Sequence, residues 1–228
     1  MKKCVFVSNM WNEMEQLPGW LANVKLFADG GILIVDSGST DGSIDYASRN
    51  GAIVVVDDII QREGYAAARA QLRELAKLHF PDAHWTMLLD ADERIEPRYK
   101  HTFRWIKDYL TDEYDIIAFP RIDWRDLDRI YAANDIMVHP DWQARMIRYS
   151  SNVTYFRRLH EQITGFKNIH ADLYTPPIDH FHRSAVAKRD VVGKLCAKLH
   201  MEDLEFGHTY PEHPKEAEYR ERYKKEGL

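Results

Sequence analysis

The chain is poor in cysteine. Cys4 and Cys196 are too few for a disulfide framework and fit a reducing compartment. No apolar run approaches the about 20 residues that cross a bilayer. The stretch after Met1-Lys2-Lys3 turns polar at Ser8 and Asn9, too early for the apolar core of a secretion signal. A cytoplasmic protein is expected, with at most peripheral contact to the inner face of a membrane. An excess of positive charge is also missing. Against 36 acidic residues stand 31 basic ones, a net charge of −5, which argues against nucleic acid as a general partner. No repeat, low-complexity tract or linker divides the 228 residues, so one domain with a sizeable core is expected.

Two short apolar runs stop abruptly at carboxylates. The first is Trp85-Thr86-Met87-Leu88-Leu89-Asp90-Ala91-Asp92-Glu93. Read as a strand continuing through the acids, it places Asp90 and Asp92 on one face. Two converging carboxylates make a hard-oxygen site for Mn²⁺ or Mg²⁺, with positions left for a diphosphate; a strand that simply runs into a polar turn would look the same. The second run is Gly31 onward, GILIVDSGSTDGS, in which a buried strand ends at Asp36 and Thr40 or Asp41 can cap the next helix. Ligands collect at the carboxyl ends of strands in open α/β sheets.

The first part of the chain reads as β-α-β-α-β, the signature of a parallel sheet. Strands are expected at 5–7, 32–36 and 52–56. Helices are expected at 13–28, with Pro18 moving the start toward Leu17, and at 42–49, closed by Asn50-Gly51. An alanine-rich helix runs from about 62 to 79 and another from about 99 to 110. A strand at 115–119 is expected to close at Pro120. Strand alternation over 141–148 puts Gln143, Arg145 and Ile147 on one face and Trp142, Met146 and Arg148 on the other. A helix over 185–204 has a basic flank suited to a solvated face or an anionic membrane surface. Residues 205–228 read as a peripheral helix or tail.

The pair VDSGSTDGS and LLDADE resembles glycosyltransferase family 2, inverting sugar-nucleotide transferases of the GT-A fold, and within it the small lipopolysaccharide-core glucosyltransferase-type group. The resemblance runs from Cys4 to about Ser184. It implies an α/β, Rossmann-like, mostly parallel sheet flanked by helices, with a mixed acceptor-side region. About 1–120 would form the nucleotide-sugar half and about 121–204 the acceptor half. It implies a nucleotide-sugar donor, UDP-linked, and a glycan, glycolipid or other hydroxyl acceptor. The implied donor-side residues are Ser8, Asn9, Glu13, Asp36, Arg69, Asp90, Ala91 and Arg145. Gly64, Tyr65 and Arg69 match the family's G-x-x-x-x-R-N, with Ala70 in place of the asparagine. Asp92 is the implied metal ligand, with His180 or His182 from Asp179-His180-Phe181-His182-Arg183-Ser184, a closing region one residue shorter than the family's. His160-Glu161 resembles the family's H-E pair, which makes Glu161 the candidate general base and Asp141 the alternative. Arg145 would meet phosphate, hold a catalytic carboxylate or form a structural ion pair.

Other classes leave different marks. A sugar nucleotidyltransferase opens with a Gly-rich basic loop after the first strand. Here that loop is Ser8-Asn9-Met10-Trp11-Asn12-Glu13, without glycine or base. A metallohydrolase built on His160, His170, His180 and His182 lacks H-E-x-x-H. A non-catalytic nucleotide-sugar binder would keep the same residues and is separated from an enzyme by turnover.

Overall fold

The computed structural model describes residues 1–110, 113–124, 140–158 and 161–181. The helix expected over 185–204, the tail at 205–228 and most of the irregular segment before Asp141 lie outside these residues, as do His160 and His182. Strands β1 (Cys4–Met10), β2 (Gly31–Asp36), β3 (Ile53–Val56) and β4 (Trp85–Leu88) run parallel, in the spatial order β3-β2-β1-β4. Beyond β4 the sheet turns mixed. Strand β5 is Glu93–Ile95, β6 is Ile116–Trp124 and β7 is Asp141–Arg148. A small hairpin of β8 (Thr154–Phe156) and β9 (Gln162–Thr164) stands apart from it, and β10 (Ile169–Ala171) and β11 (Ile178–Phe181) return to it. The order continues β4-β7-β6-β11-β5, and β10 also pairs with β6.

Helices α1 (Leu17–Val24), α2 (Ser43–Arg49), α3 (Ile59–Glu63), α4 (Tyr65–His79) and α5 (Lys100–Tyr109) complete the first half of the chain. Alternation along β1 builds two cores. Phe6 joins Trp20, Phe27 and Phe103 on one face, while Val5 and Val7 meet Leu72 and Ala76 of α4 on the other. Phe103 sits 5.4 to 6.2 Å from the rings of Phe6, Phe27 and Phe119.

Several expectations shift. Helix α1 is shorter than 13–28, since Pro18 confines its start to Leu17 and its last turn loosens after Val24. Neither Thr40 nor Asp41 is the N-cap of α2. Gly42 takes that position in the left-handed region, and Asp41 accepts the backbone N–H of Ser43 from one residue earlier. Strand β6 runs through Pro120 to Trp124. Its partner on one side changes from β10, at Ile116–Ala118, to β11, at Arg121–Trp124, and Pro120 falls in the gap between them.

Asp115 fastens this mixed region. Its carboxylate accepts the backbone N–H of Lys167 at 2.8 Å and pairs with Arg148. That backbone N–H first, and then Arg148 against the opposing effect of burial, hold it below the ordinary carboxylate range. A depressed native pKa adds stability above the unfolded value of about 4, and that stability is lost as pH falls through the native value. Asp115→Asn should therefore lower the urea midpoint at pH 7, and its gap to the parent should close toward pH 3. A gap that stays constant over that range would contradict this role.

Candidate functional site

The carboxyl ends of β1, β2 and β4 meet at one edge of the sheet, and most of the expected donor residues lie there. Asp36, 1% exposed, closes β2. Its Oδ1 accepts the N–H groups of Gly38 and Ser39 at 2.9 and 2.6 Å, and its Oδ2 accepts the Ser39 hydroxyl at 2.7 Å. The carboxylate thus shapes its own turn. Beside it, both side-chain polar atoms of Asn9 and the hydroxyl of Ser37 are buried without a partner among the described residues. Ser8 is buried in β1. The carbonyl of Glu13 starts α1 by accepting from Gln16 and Leu17, and its N–H donates to Ser43 Oγ.

The Asp90-Ala91-Asp92 segment is a tight turn, not the end of a strand. Strand β4 stops at Leu88, Glu93 N donates to Asp90 O at 2.9 Å, and β5 begins at Glu93. Strand alternation therefore does not set these side chains, and the two aspartates serve different partners. Arg69 Nη2 donates to Asp90 Oδ2 at 3.2 Å and lies 2.9 Å from its Oδ1, and Arg69 Nε donates to Glu161 Oε1 at 3.1 Å. Arg145 reaches Asp90 Oδ2 at 3.1 Å and Glu93 Oε1 at 2.5 Å, while Glu93 Oε2 accepts the Asp90 N–H. Glu161, Arg69, Asp90, Arg145 and Glu93 form one ionic chain. Burial works against the Asp90 charge, but Arg69 and Arg145 overcome it and hold the carboxyl well below its usual range. Burial also dominates at Glu93, where it outweighs Arg145 and pushes the carboxyl up with help from Asp90.

Two backbone features make this convergence possible. Gly64 sits between α3 and α4 at φ +87°, where a Cβ would lie 2.7 Å from Arg158 Cα. The close approach lets Tyr65 N donate to Arg158 O at 2.8 Å and holds Arg158 against the start of α4. Arg145 is the extra residue of a bulge in β7, for Ile117 pairs with Met146 but Ala118 with Ala144. The bulge resets the alternation. Ile147 then shares a cluster with Ala144, contrary to the face assignment expected from an unbroken strand.

Asp92 faces the other way. Phe181 N donates to Asp92 O at 3.0 Å, and β11 pairs with β5, placing His180 opposite Glu93. His180 Nε2 comes to 3.7 Å from Asp92 Oδ2, and its Nδ1 lies 2.5 Å from Asp123 Oδ1 on β6. Burial opposes the imidazolium, but Asp92 and Asp123 raise His180 to about 9. Ala91 is buried in the core, and its carbonyl accepts from Arg94 at 2.7 Å. Arg94 also reaches the Gln16 carbonyl, tying the turn to the start of α1.

Glu161 and Arg69 line a cavity of about 560 Å³, whose walls include Trp142, Gln143, Arg145, Tyr155 and Phe166. Arg69 Nη1, Arg145 Nε and Tyr155 Oη, all donors on these walls, are buried without a partner among the described residues. Asp141 is not among the lining residues. Its carboxylate is held by Arg121 at 2.7 Å and Gln143 at 2.8 Å. The sequence reading missed Arg94, Asp123 and Arg121. Asp123 carries no motif, and its meaning arises from the β6–β11 register that puts it opposite His180.

Among the described residues no group of three His, Cys, Asp or Glu is placed to hold a metal ion, and no helix is long and apolar enough to cross a membrane. The pair Asp92 and His180 nevertheless suits a hard divalent cation. Such an ion is held by one or two protein ligands, with substrate phosphates and water completing the shell, and an imidazole whose second nitrogen meets a carboxylate is the usual orienting arrangement.

No protein-family model matches the chain, and no curated protein matches it. Among solved structures, residues 1–349 of S. aureus TarS superpose with a TM-score of 0.53 at 10% identity, covering 98% of this chain and 79% of that one. The longer S. aureus TarS structure gives 0.51 at 10% identity, covering 98% of this chain, which spans 43% of that one. The mannosyltransferase PcManGT from Pyrobaculum calidifontis, in complex with GDP-Man and Mn²⁺, gives 0.46 at 14% identity, covering 97% and 69%. At these identities the likeness is one of architecture, and the α/β fold with its curled, mostly parallel sheet flanked by helices is the GT-A fold.

Proposed function

We propose that this chain is an inverting glycosyltransferase of the family 2 type, moving a sugar from a UDP-linked donor to a hydroxyl acceptor. The observation that carries the reading is the junction at Arg69. One guanidinium joins Asp90, at the carboxyl edge, to Glu161, on the wall of the 560 Å³ cavity. Donor binding and acceptor activation would meet there. The Asn9 amide and Ser37 hydroxyl, unpartnered among the described residues, mark the donor side, and Arg69 Nη1, Arg145 Nε and Tyr155 Oη, likewise unpartnered among them, mark the acceptor side. In this division about 1–120 holds the donor and about 121–204 the acceptor, within one domain.

Inverting transfer is a single displacement at the anomeric carbon. Glu161 takes the proton of the attacking hydroxyl, with Oε1 steadied by Arg69 so that the other oxygen meets the acceptor. Asp90, clamped by Arg69 and Arg145, presents a rigid polar edge to the ribose. The turn built by Asp36 frames the base. Asp92 and His180 would hold Mn²⁺ or Mg²⁺, which when bound offsets charge on the departing diphosphate. Asp123 keeps the His180 ring in place.

Incubation with a panel of UDP-sugars tests the reading, because a non-catalytic binder retains the donor without consuming it. Donor that is bound but never released as UDP, with any acceptor class, would favour the binding module. The uridine assignment has its own test. Asp36→Ala removes the acceptor for two backbone N–H groups and one hydroxyl, so the turn at Gly38–Ser39 should loosen. UDP affinity should fall at least about tenfold, as expected for losing charge-assisted hydrogen bonds worth about 1.5–3 kcal/mol each. Calorimetry showing unchanged UDP affinity in a folded variant would remove Asp36 from the donor site.

A further inference from the structure

We propose that a second cavity, on the opposite side of β10 from the acceptor cavity, is a saccharide-binding site. Along β10, Ile169 and Ala171 line the acceptor cavity, whereas His170 lines the second one. The strand therefore separates two hollows back to back. The second has a volume of about 340 Å³ and is walled by Trp105, Ile106, His170, Asp172, Tyr174 and Thr175 among others. That volume lies at the small end of the roughly 300–1,000 Å³ usual for small-ligand sites.

The lining chemistry selects the ligand. Trp105 is 55% exposed and Tyr174 is 87% exposed, so both indole and phenol present ring surface to solvent. Such faces suit the C–H face of a sugar ring. Thr175 is 2% exposed, yet its hydroxyl is buried with no partner among the described residues. Asp172 Oδ1 accepts the Tyr174 N–H at 2.8 Å, which fixes the carboxylate at the wall. An acyl chain or apolar peptide would leave the Thr175 hydroxyl and the Asp172 carboxylate unmet. An anion would meet Asp172 with no lysine or arginine among the lining residues to balance it. A neutral, hydroxyl-rich ring satisfies all of these groups. Its position behind β10 makes it a subsite apart from the reacting centre, and it does not depend on the transferase reading.

The test is saturation-transfer NMR on the full chain with the methyl glycosides of glucose, galactose, mannose and N-acetylglucosamine, each alone. Saturation should reach ring C–H protons of at least one glycoside. Trp105→Ala should weaken that binding roughly two- to tenfold, the range for one aromatic face. Thr175→Val, equal in size but without the hydroxyl, should weaken it as well, while UDP affinity and the melting curve of the Trp105 variant stay unchanged. Binding that persists undiminished in both variants, or absence of binding by all four glycosides, would overturn the proposal. So would attachment to phosphatidylglycerol vesicles that Trp105→Ala abolishes, since the patch would then be a membrane contact.

Discussion

Glu161→Gln should lower turnover by roughly two to four orders of magnitude, the range usual for a lost general base. Glutamine keeps the size of the side chain and can still meet Arg69, but it cannot take a proton. The lost interaction belongs to the transition state, so UDP and metal affinity should persist. The structure sharpens the comparison with Asp141. Glu161 lines the large cavity, whereas Asp141 is not among its lining residues and is tied to Arg121 and Gln143. Asp141→Asn should therefore cost far less than Glu161→Gln in single-turnover measurements with saturating donor. Normal turnover in Glu161→Gln beside a dead Asp141→Asn would reverse the assignment and leave Glu161 as a clamp on Arg69.

Removal of divalent metal should take turnover to background in excess EDTA, and Mn²⁺ or Mg²⁺ should restore it. Asp92→Ala should not be restored at the metal concentration that saves the parent, because the carboxylate of the ligand pair is gone. Asp123→Asn gives a graded test. It leaves Asp92 and His180 in place but removes the charge that holds His180 Nδ1, and should weaken Mn²⁺ binding roughly ten- to hundredfold. Titration of Mn²⁺ in the presence of UDP reads this directly. Full turnover under chelation would exclude the metal altogether, and unchanged Mn²⁺ affinity in Asp123→Asn would exclude the orienting role.

The first half of the chain was legible because its signals are local. Val5, Val7, Leu33 and Val35 alternate as strands buried on both faces must, and Leu17, Trp20, Leu21 and Val24 recur at helical spacing. Gly51, at φ +88° just past the C-cap Asn50, closed α2 where a glycine's left-handed tolerance predicts. These facts belong to neighbouring residues, so the chain alone determined the order β-α-β-α-β, the carboxylate Asp36 at the end of β2 and the apolar residues of its core.

Tertiary structure decided what those carboxylates touch. Asp90 and Asp92 are two residues apart, yet one is claimed by Arg69 and Arg145 and the other faces His180, because β4 ends early and a turn reverses the chain. The bulge that frees Arg145 from strand alternation depends on the register of β7 against β6, and the Asp123–His180 pair depends on that of β6 against β11. Pairing register arises between segments far apart in sequence, and a one-residue shift changes which side chains meet. Periodicity within a segment carries the backbone's local preferences. It carries no record of the partner strand, and for this chain the partner strand sets the site.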